Sequence, residues 1–156
     1  MARWVLSLGA SYLEGRYDTF TDAVGYTESD GEFAGMYTTE QDYSGNTIVR
    51  NPKESATFGV NWHHPVPGGN INISADYYSA KYYYDAANQL EQNAFTKLNA
   101  RMSYSHDRSN IDVSIFGSNL ENSEYYIYQF QTDFGVVGKL AQPVSYGVAL
   151  NWRYDE

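Results

Sequence analysis

The chain has 156 residues, a net charge of −9 and no cysteine. This length fits one domain of ordinary size, and the lack of cysteine excludes disulfides, thiol catalysis and Cys-based metal sites. The acidic charge argues against nucleic acid as a partner, because nucleic acid binds clustered Lys and Arg. Aromatic residues make up 17% of the chain, including 16 Tyr, and excess Tyr suits surfaces with one apolar and one wet side.

Six segments alternate apolar and polar residues with a period of two, over roughly the 9–11 residues that a tilted transmembrane strand needs. In chain order they are residues 4–12, 56–63, 71–78, 98–105, 111–118 and 144–154. A transmembrane helix is not predicted, because that needs about 18 consecutive apolar residues. The pattern predicts an all-β chain with six strands, each with one apolar and one polar face.

The ends of the apolar faces carry aromatic residues, as the two aromatic girdles of an outer-membrane barrel require. The predicted girdle residues are Trp4, Tyr12, Trp62, Tyr77, Tyr104, Tyr146, Trp152 and Tyr154. Charges within the strand centres (Asp76, Arg101 and Asp112) all fall on the opposite face. A lipid-facing Arg or Lys at mid-depth costs about 2–4 kcal/mol, so this distribution favours a membrane barrel.

The predicted connections alternate in length, as they do in barrels with short periplasmic turns and long external loops. Residues 64–70 and 107–110 form short turns, whereas residues 19–54, 84–94 and 119–142 form long loops. Pairing His106 with Ile111 places Tyr104 opposite Val113, Met102 opposite Ile115 and Arg101 opposite Phe116, so the apolar faces match. The expected fold is an antiparallel up-and-down meander.

Six strands are too few for a closed barrel, because single-chain outer-membrane barrels start at eight. An open sheet would leave unpaired backbone groups in lipid. The chain is therefore predicted to form part of a large barrel, or to reach closure by association.

Several stretches match a known family in order and spacing. They are LSLGASYLEGRYDTF, DYSGNTIVRNPKESATFGVNW, KLNARMSY, IDVSIFGSNLENSEYY and the Pro-led QPVSYGV. Within the fourth, Gly117, Asn119, Leu120, Tyr125 and Tyr126 fit a G-x-N-L … Y-Y passage. Together these stretches resemble the C-terminal β-barrel region of TonB-dependent outer-membrane receptors of the siderophore type.

The resemblance implies that residues 1–156 are a partial receptor barrel in the bacterial outer membrane, without the plug domain or signal peptide. It implies active uptake of a scarce small molecule, such as a ferric siderophore, with no enzyme activity and no cofactor. The implied partners are outer-membrane lipid, the rest of the barrel, the plug and, only through that plug, the TonB complex. Two alternatives stay open: a self-associating small barrel segment and a soluble β-sandwich binding module.

Aromatic clusters near the outer strand ends are the candidate ligand-binding residues, because rings of this kind stack on planar ligands. The candidates are Tyr82, Tyr84, Tyr126, Tyr128, Phe130 and Phe134. Girdle and loop packing is the alternative interpretation. Alternation places Tyr83 on the lipid side and the two flanking Tyr residues on the lumen side.

No metal site is predicted. His63 and His64 are adjacent in a strand, so they point to opposite faces and cannot chelate together. Glu28, Asp30, Glu32, Glu40 and Asp42 make the first long loop acidic, but they lack the spacing of a calcium loop, which favours a solvated loop.

Overall fold

The computed structural model describes residues 1–26 and 37–153. All regular secondary structure in these residues is β-strand, and none of their segments is a helix long and apolar enough to cross a bilayer. The strands are β1 (Arg3–Tyr12), β2 (Ala23–Tyr26), β3 (Tyr37–Gln41), β4 (Glu54–Val66), β5 (Gly69–Tyr83), β6 (Glu91–His106), β7 (Ile111–Ser118), β8 (Tyr126–Thr132), β9 (Gly135–Leu140) and β10 (Ser145–Trp152).

The six long strands form one antiparallel sheet in the order β1–β4–β5–β6–β7–β10. All six predicted strands are present, and each pairs with the next one along the chain, which confirms the predicted meander. The register across the 107–110 turn is also confirmed, with His106 opposite Ile111, Tyr104 opposite Val113 and Met102 opposite Ile115. A slip by one residue would move every side chain of a strand to the opposite face of the sheet, so this register determines which residues form the apolar face.

Strand bounds differ from the prediction at both ends of the sheet. The turn predicted at residues 64–70 has only two residues in the structure, because β4 continues to Val66 and β5 starts at Gly69. Pro67 and Gly68 connect them, and the positive φ of Gly68 (83°) is what a Pro-Gly turn of this kind requires. The predicted 84–94 loop shrinks to residues 84–90, because β5 and β6 pair further than the alternation indicates.

The two longest predicted loops each contain a hairpin that the sequence analysis missed. Strands β2 and β3 pair within the first, and strands β8 and β9 pair within the last. These strands are short and belong to two-stranded sheets, so they lack the long one-sided apolar pattern that identifies a wall strand.

The apolar face of the large sheet is uncovered in the described part of the chain. Leu8 and Leu150, on the two edge strands, are 84% and 69% exposed. The larger side chains exposed on this face include Trp4, Leu6, Phe58, Ile115, Tyr146, Val148 and Trp152. A β-sandwich would bury this surface beneath a second sheet, so the soluble sandwich alternative was wrong.

The opposite, polar face is held by side-chain hydrogen bonds between neighbouring strands. Asn99 donates to Asp76 (2.7 Å) and accepts from the hydroxyl of Ser118 (3.0 Å). Nearer the short turns, Arg153 pairs with Asp112 at 3.1 Å. One face is therefore suited to hydrocarbon and the other to a polar lumen, which is the distribution of an outer-membrane barrel wall.

Candidate functional site

Three connections meet at one end of the sheet, here called the long-loop end. They comprise residues 13–53, 84–90 and 119–144, and they include both extra hairpins. The short turns between β4 and β5 and between β6 and β7 lie at the other end, here called the short-turn end. Because external loops are the long ones in such barrels, the long-loop end is where a ligand from outside would first meet the protein.

A cluster of rings covers the polar face next to this end, here called the aromatic cluster. Its members are Tyr78, Tyr82, Tyr84, Phe95 and Tyr125. The rings of Phe95 and Tyr125 stack with their centroids 4.2 Å apart, and Tyr82 meets Tyr84 edge-on at 5.2 Å. Phe95 and Tyr84 are among the few buried hydrophobic residues in the described chain. The cluster joins the end of the wall to the start of the last long loop.

Gln92 fixes the root of the β8–β9 hairpin to this cluster. Its side chain is 4% exposed, and its Oε1 accepts the backbone N–H of Tyr126 (2.8 Å) and the hydroxyl of Tyr84 (3.2 Å). The same hydroxyl lies against the carbonyl oxygen of Tyr126. Burial raises the pKa of the Tyr84 phenol well above its usual value, so this hydroxyl stays protonated and can donate.

The first long loop is tied to the 84–90 connection by amide side chains. Asn88 accepts the backbone N–H of Thr47 (2.8 Å) and donates to the Thr47 carbonyl (2.9 Å). Asn46 donates to the carbonyl of Ala86 at 2.9 Å. Asn88 has a positive φ of 60°, which Asn tolerates better than most residues. The three loops are therefore linked to one another in the described structure.

A pocket of about 200 Å³ lies between the three loops, here called the loop pocket. Its lining includes Tyr43, Asp85, Gln129, Phe130 and Gln131. Tyr43 is buried beside Gly25, where any side chain would overlap its ring. Burial raises the pKa of Tyr43, and the nearby Asp85 charge raises it further, so the phenol is neutral and offers a hydroxyl.

The structure divides the six predicted ligand-binding residues between separate places. Tyr82 and Tyr84 are packed inside the aromatic cluster, and Tyr126 anchors the hairpin root. The remaining three lie on the hairpin: Tyr128 and Phe130 stack at 6.0 Å, and Phe134 at its tip is fully exposed. Only Tyr84 and Phe130 of the six line the loop pocket.

Three further pocket residues, Tyr43, Gln129 and Gln131, were missed by the sequence analysis. Single Gln and Tyr residues in loops carry no spacing signal that would mark them. The alternation of aromatic and Gln residues along 126–131 is the one available sign that this segment forms a strand.

The predicted girdle residues lie on the apolar face in the described structure. Near the short-turn end, Trp4 and Trp62 are directly paired across β1 and β4, with ring centroids 5.7 Å apart. Near the same end, the Tyr104 hydroxyl donates to the Gly68 carbonyl at 3.4 Å. The other described members, Tyr12, Tyr77, Tyr146 and Trp152, are at least partly exposed, and Tyr154 lies outside the described residues.

Basic side chains near the long-loop end are largely paired. Arg16 contacts Glu14 at 3.1 Å, Lys53 lies 4.0 Å from the same carboxylate, and Lys81 contacts Glu91 at 2.6 Å. Hydrogen bonding from Arg16, with the charge of Lys53, holds the pKa of Glu14 below its usual range. These cations are neutralised by their own neighbours.

Within residues 1–26 and 37–153, no group of His, Asp and Glu side chains is placed to hold a metal ion. His63 instead contacts Asn72 (2.7 Å), and His64 stacks on Trp62. Asp42 of the acidic loop accepts the backbone N–H of Ser44. Glu28, Asp30 and Glu32 lie outside the described residues.

Solved receptor structures resemble this fold. The ferric yersiniabactin uptake receptor FyuA from Yersinia pestis aligns with a TM-score of 0.72 and 16% identity, over 94% of this chain and 20% of that receptor. The siderophore receptor PiuA from Acinetobacter baumannii aligns with a TM-score of 0.70 and 22% identity, over 97% of this chain and 20% of the receptor. At these identities the likeness concerns the fold.

A third structure, the ferric preacinetobactin receptor BauA from Acinetobacter baumannii, is 28% identical, with a TM-score of 0.55 over 69% of this chain and 16% of that receptor. The chain thus spans about a fifth or less of the length of these receptors. No curated protein matches it in sequence.

The family model for the TonB dependent receptor-like beta-barrel matches residues 2–120, which is most of the chain. This match agrees with the strand order, the uncovered apolar face and the predicted resemblance. The chain therefore belongs to the family of TonB-dependent receptor β-barrels, whose members are receptors of the bacterial outer membrane and not enzymes.

Proposed function

We propose that this chain supplies six wall strands and three external loops of a receptor for the active uptake of a ferric siderophore. The observation that carries the proposal is the pairing of an uncovered apolar face with a polar face beneath linked loops. A wall of this kind separates lipid from a polar lumen, and the loops at its outer end receive the ligand. Of the three similar receptors, two take ferric complexes (ferric yersiniabactin and ferric preacinetobactin) and one is a siderophore receptor, which supports this ligand class.

We further propose that residues 1–156 are one part of the barrel, with a plug domain supplied from elsewhere in the receptor. The family implies an interaction with TonB in general, and our proposal assigns that contact to the plug. Both free edges of the sheet, on β1 and β10, need partner strands, because an unpaired backbone group in lipid costs several kcal/mol.

The test uses the full-length receptor that carries this segment, expressed in a host without its own ferric-siderophore receptors. Uptake of radioactive iron from ferric chelates is measured with and without a functional TonB system, and assembly is checked by heat-modifiable migration in gels. We expect uptake only when both receptor and TonB are present. An assembled receptor that delivers iron from no ferric chelate, or does so equally without TonB, would contradict the proposal.

A further inference from the structure

The loop pocket has neutral polar and aromatic walls, with a single charge. Asp85 is the one carboxylate among its lining residues, and no Lys, Arg or His lines it in the described structure. The Asp85 carboxylate is already occupied by the backbone N–H groups of Leu90 (2.7 Å) and Gln89 (3.3 Å). The pocket therefore offers an anionic ligand no ion-pair partner.

Two amide side chains in the pocket are available for a ligand. Gln129 and Gln131 line it beside Phe130, and within the described residues neither side chain makes a hydrogen bond. Each side-chain amide supplies two N–H donors and one carbonyl acceptor. The Phe130 ring, 47% exposed, adds an apolar surface next to them. This combination suits a ligand with amide or hydroxyl groups and no need of charge pairing.

The charge around the pocket points the same way. The described parts of the three long-loop segments, residues 13–26, 37–53, 84–90 and 119–144, contain nine Asp and Glu but only four Lys and Arg. They therefore carry a charge of −5, and two of their four cations are engaged with Glu14. A field of one sign of this size repels ligands of the same sign and slows their association.

We propose that the loop pocket receives one arm of a ferric chelate without net negative charge, of the hydroxamate class, in preference to an arm of the anionic catecholate class. Three singly deprotonated hydroxamates neutralise a ferric ion, whereas three doubly deprotonated catechols leave the complex trianionic. The neutral chelate escapes repulsion by the acidic loops and presents oxygen atoms to the donors of Gln129 and Gln131. This inference depends on the proposed function and narrows it to one class of substrate.

Binding of a neutral ferric tris-hydroxamate and a trianionic ferric tris-catecholate to the full-length receptor in detergent tests this inference. We expect the neutral chelate to bind at least tenfold more tightly at low salt. Raising the salt concentration should strengthen only the trianionic chelate's binding, by several fold, because salt screens the repulsion.

Two sets of variants distinguish the contribution of the pocket side chains to binding from that of the loop charges. The double change Gln129→Leu with Gln131→Leu should weaken hydroxamate binding about tenfold, since two hydrogen bonds are lost, whereas Gln142→Leu outside the pocket should leave it unchanged. Asp133→Lys at the hairpin tip should strengthen catecholate binding, and Asp107→Lys at the short-turn end should not.

Tighter binding of the catecholate would overturn the charge argument, and an equal loss in the Gln142→Leu control would overturn the role of the loop pocket; either result leaves siderophore uptake standing. Failure of both chelates to bind an assembled receptor would overturn the proposed function together with this inference.

Discussion

The ring of Phe116 lies directly over Gly147, its paired residue on the neighbouring strand, so that a Cβ at position 147 would overlap the ring. The guanidinium of Arg101, paired with Phe116 on the other side, stands 5.1 Å from the ring centroid. A ring that covers a strand glycine replaces the side chain missing there. Three strands of the wall are thus joined on the polar face by one stack.

This stack predicts that Gly147→Ala destabilises the barrel, because the added methyl group forces the ring of Phe116 aside. An overpacked site of this kind costs about 1–3 kcal/mol. The measurement is the unfolding temperature of the assembled receptor, followed by heat-modifiable gel migration. Adding Phe116→Ala to Gly147→Ala should restore part of the lost stability, because the methyl group no longer meets the ring. Strictly additive effects of the two changes would contradict the contact.

The assignment of faces predicts opposite outcomes for two substitutions by arginine in neighbouring rows of the sheet. Ile115→Arg places a charge on the exposed apolar face and should cost about 2–4 kcal/mol at mid-depth. Asn61→Arg, on the exposed polar face, should be tolerated. The amount of folded receptor in outer membranes measures both, and equal assembly of the two variants would remove the assignment.

Because Gln92 anchors the root of the β8–β9 hairpin, we expect the loss of its side-chain amide to loosen the hairpin root. Gln92→Leu leaves the N–H of Tyr126 without its acceptor, which costs about 1–3 kcal/mol for a buried group. Hydrogen exchange at Tyr126 should accelerate, while exchange in β7 stays slow. Gln129→Leu is the matched control, because that amide makes no side-chain hydrogen bond within the described residues. Unchanged exchange at Tyr126 in Gln92→Leu would contradict the anchoring role.

The link between Asn88 and Thr47 predicts that two substitutions at position 88 increase proteolysis to different extents. Asn88→Gly keeps the backbone conformation with positive φ and loses three side-chain hydrogen bonds, two of them to Thr47, whereas Asn88→Ala loses the same bonds and adds strain. We expect limited proteolysis of the first long loop to be faster in the glycine variant than in the parent, and fastest in the alanine variant. Identical digestion of all three proteins would show that this link does not hold the loops together.

The wall could be predicted from the sequence because its determinants are local. Alternation along residues such as Tyr146, Val148 and Leu150 defines both the strand and its lipid side, and the DRSN turn sets the register of β6 and β7. The loop pocket could not be predicted in the same way. The hydrogen bonds that hold the loops around it join residues far apart in sequence, such as Asn88 with Thr47 and Gln92 with Tyr126. Nothing near either partner in the chain marks the contact.

The extent of β5 and β6 illustrates the same limit. Their pairing passes a register shift between Ala80 and Tyr82, beyond which a simple period of two no longer describes both strands. Backbone pairing continues there as far as Tyr83 and Glu91, and Phe95 packs edge-on against Tyr78 and Tyr82 across the strands. No local pattern in the sequence marks these contacts between strands.

The ladder of paired residues that starts at Trp4 passes through Trp62, Ile73, Met102 and Ile115 and reaches β10 at Val148, four residues before Trp152. In upright strands, Trp152 would therefore sit about 13 Å further toward the periplasm than Trp4. We expect inclined strands, which barrel closure demands, to bring the two indoles to a similar depth. The predicted aromatic band at the bilayer surface would then draw its side chains from different rungs of the ladder.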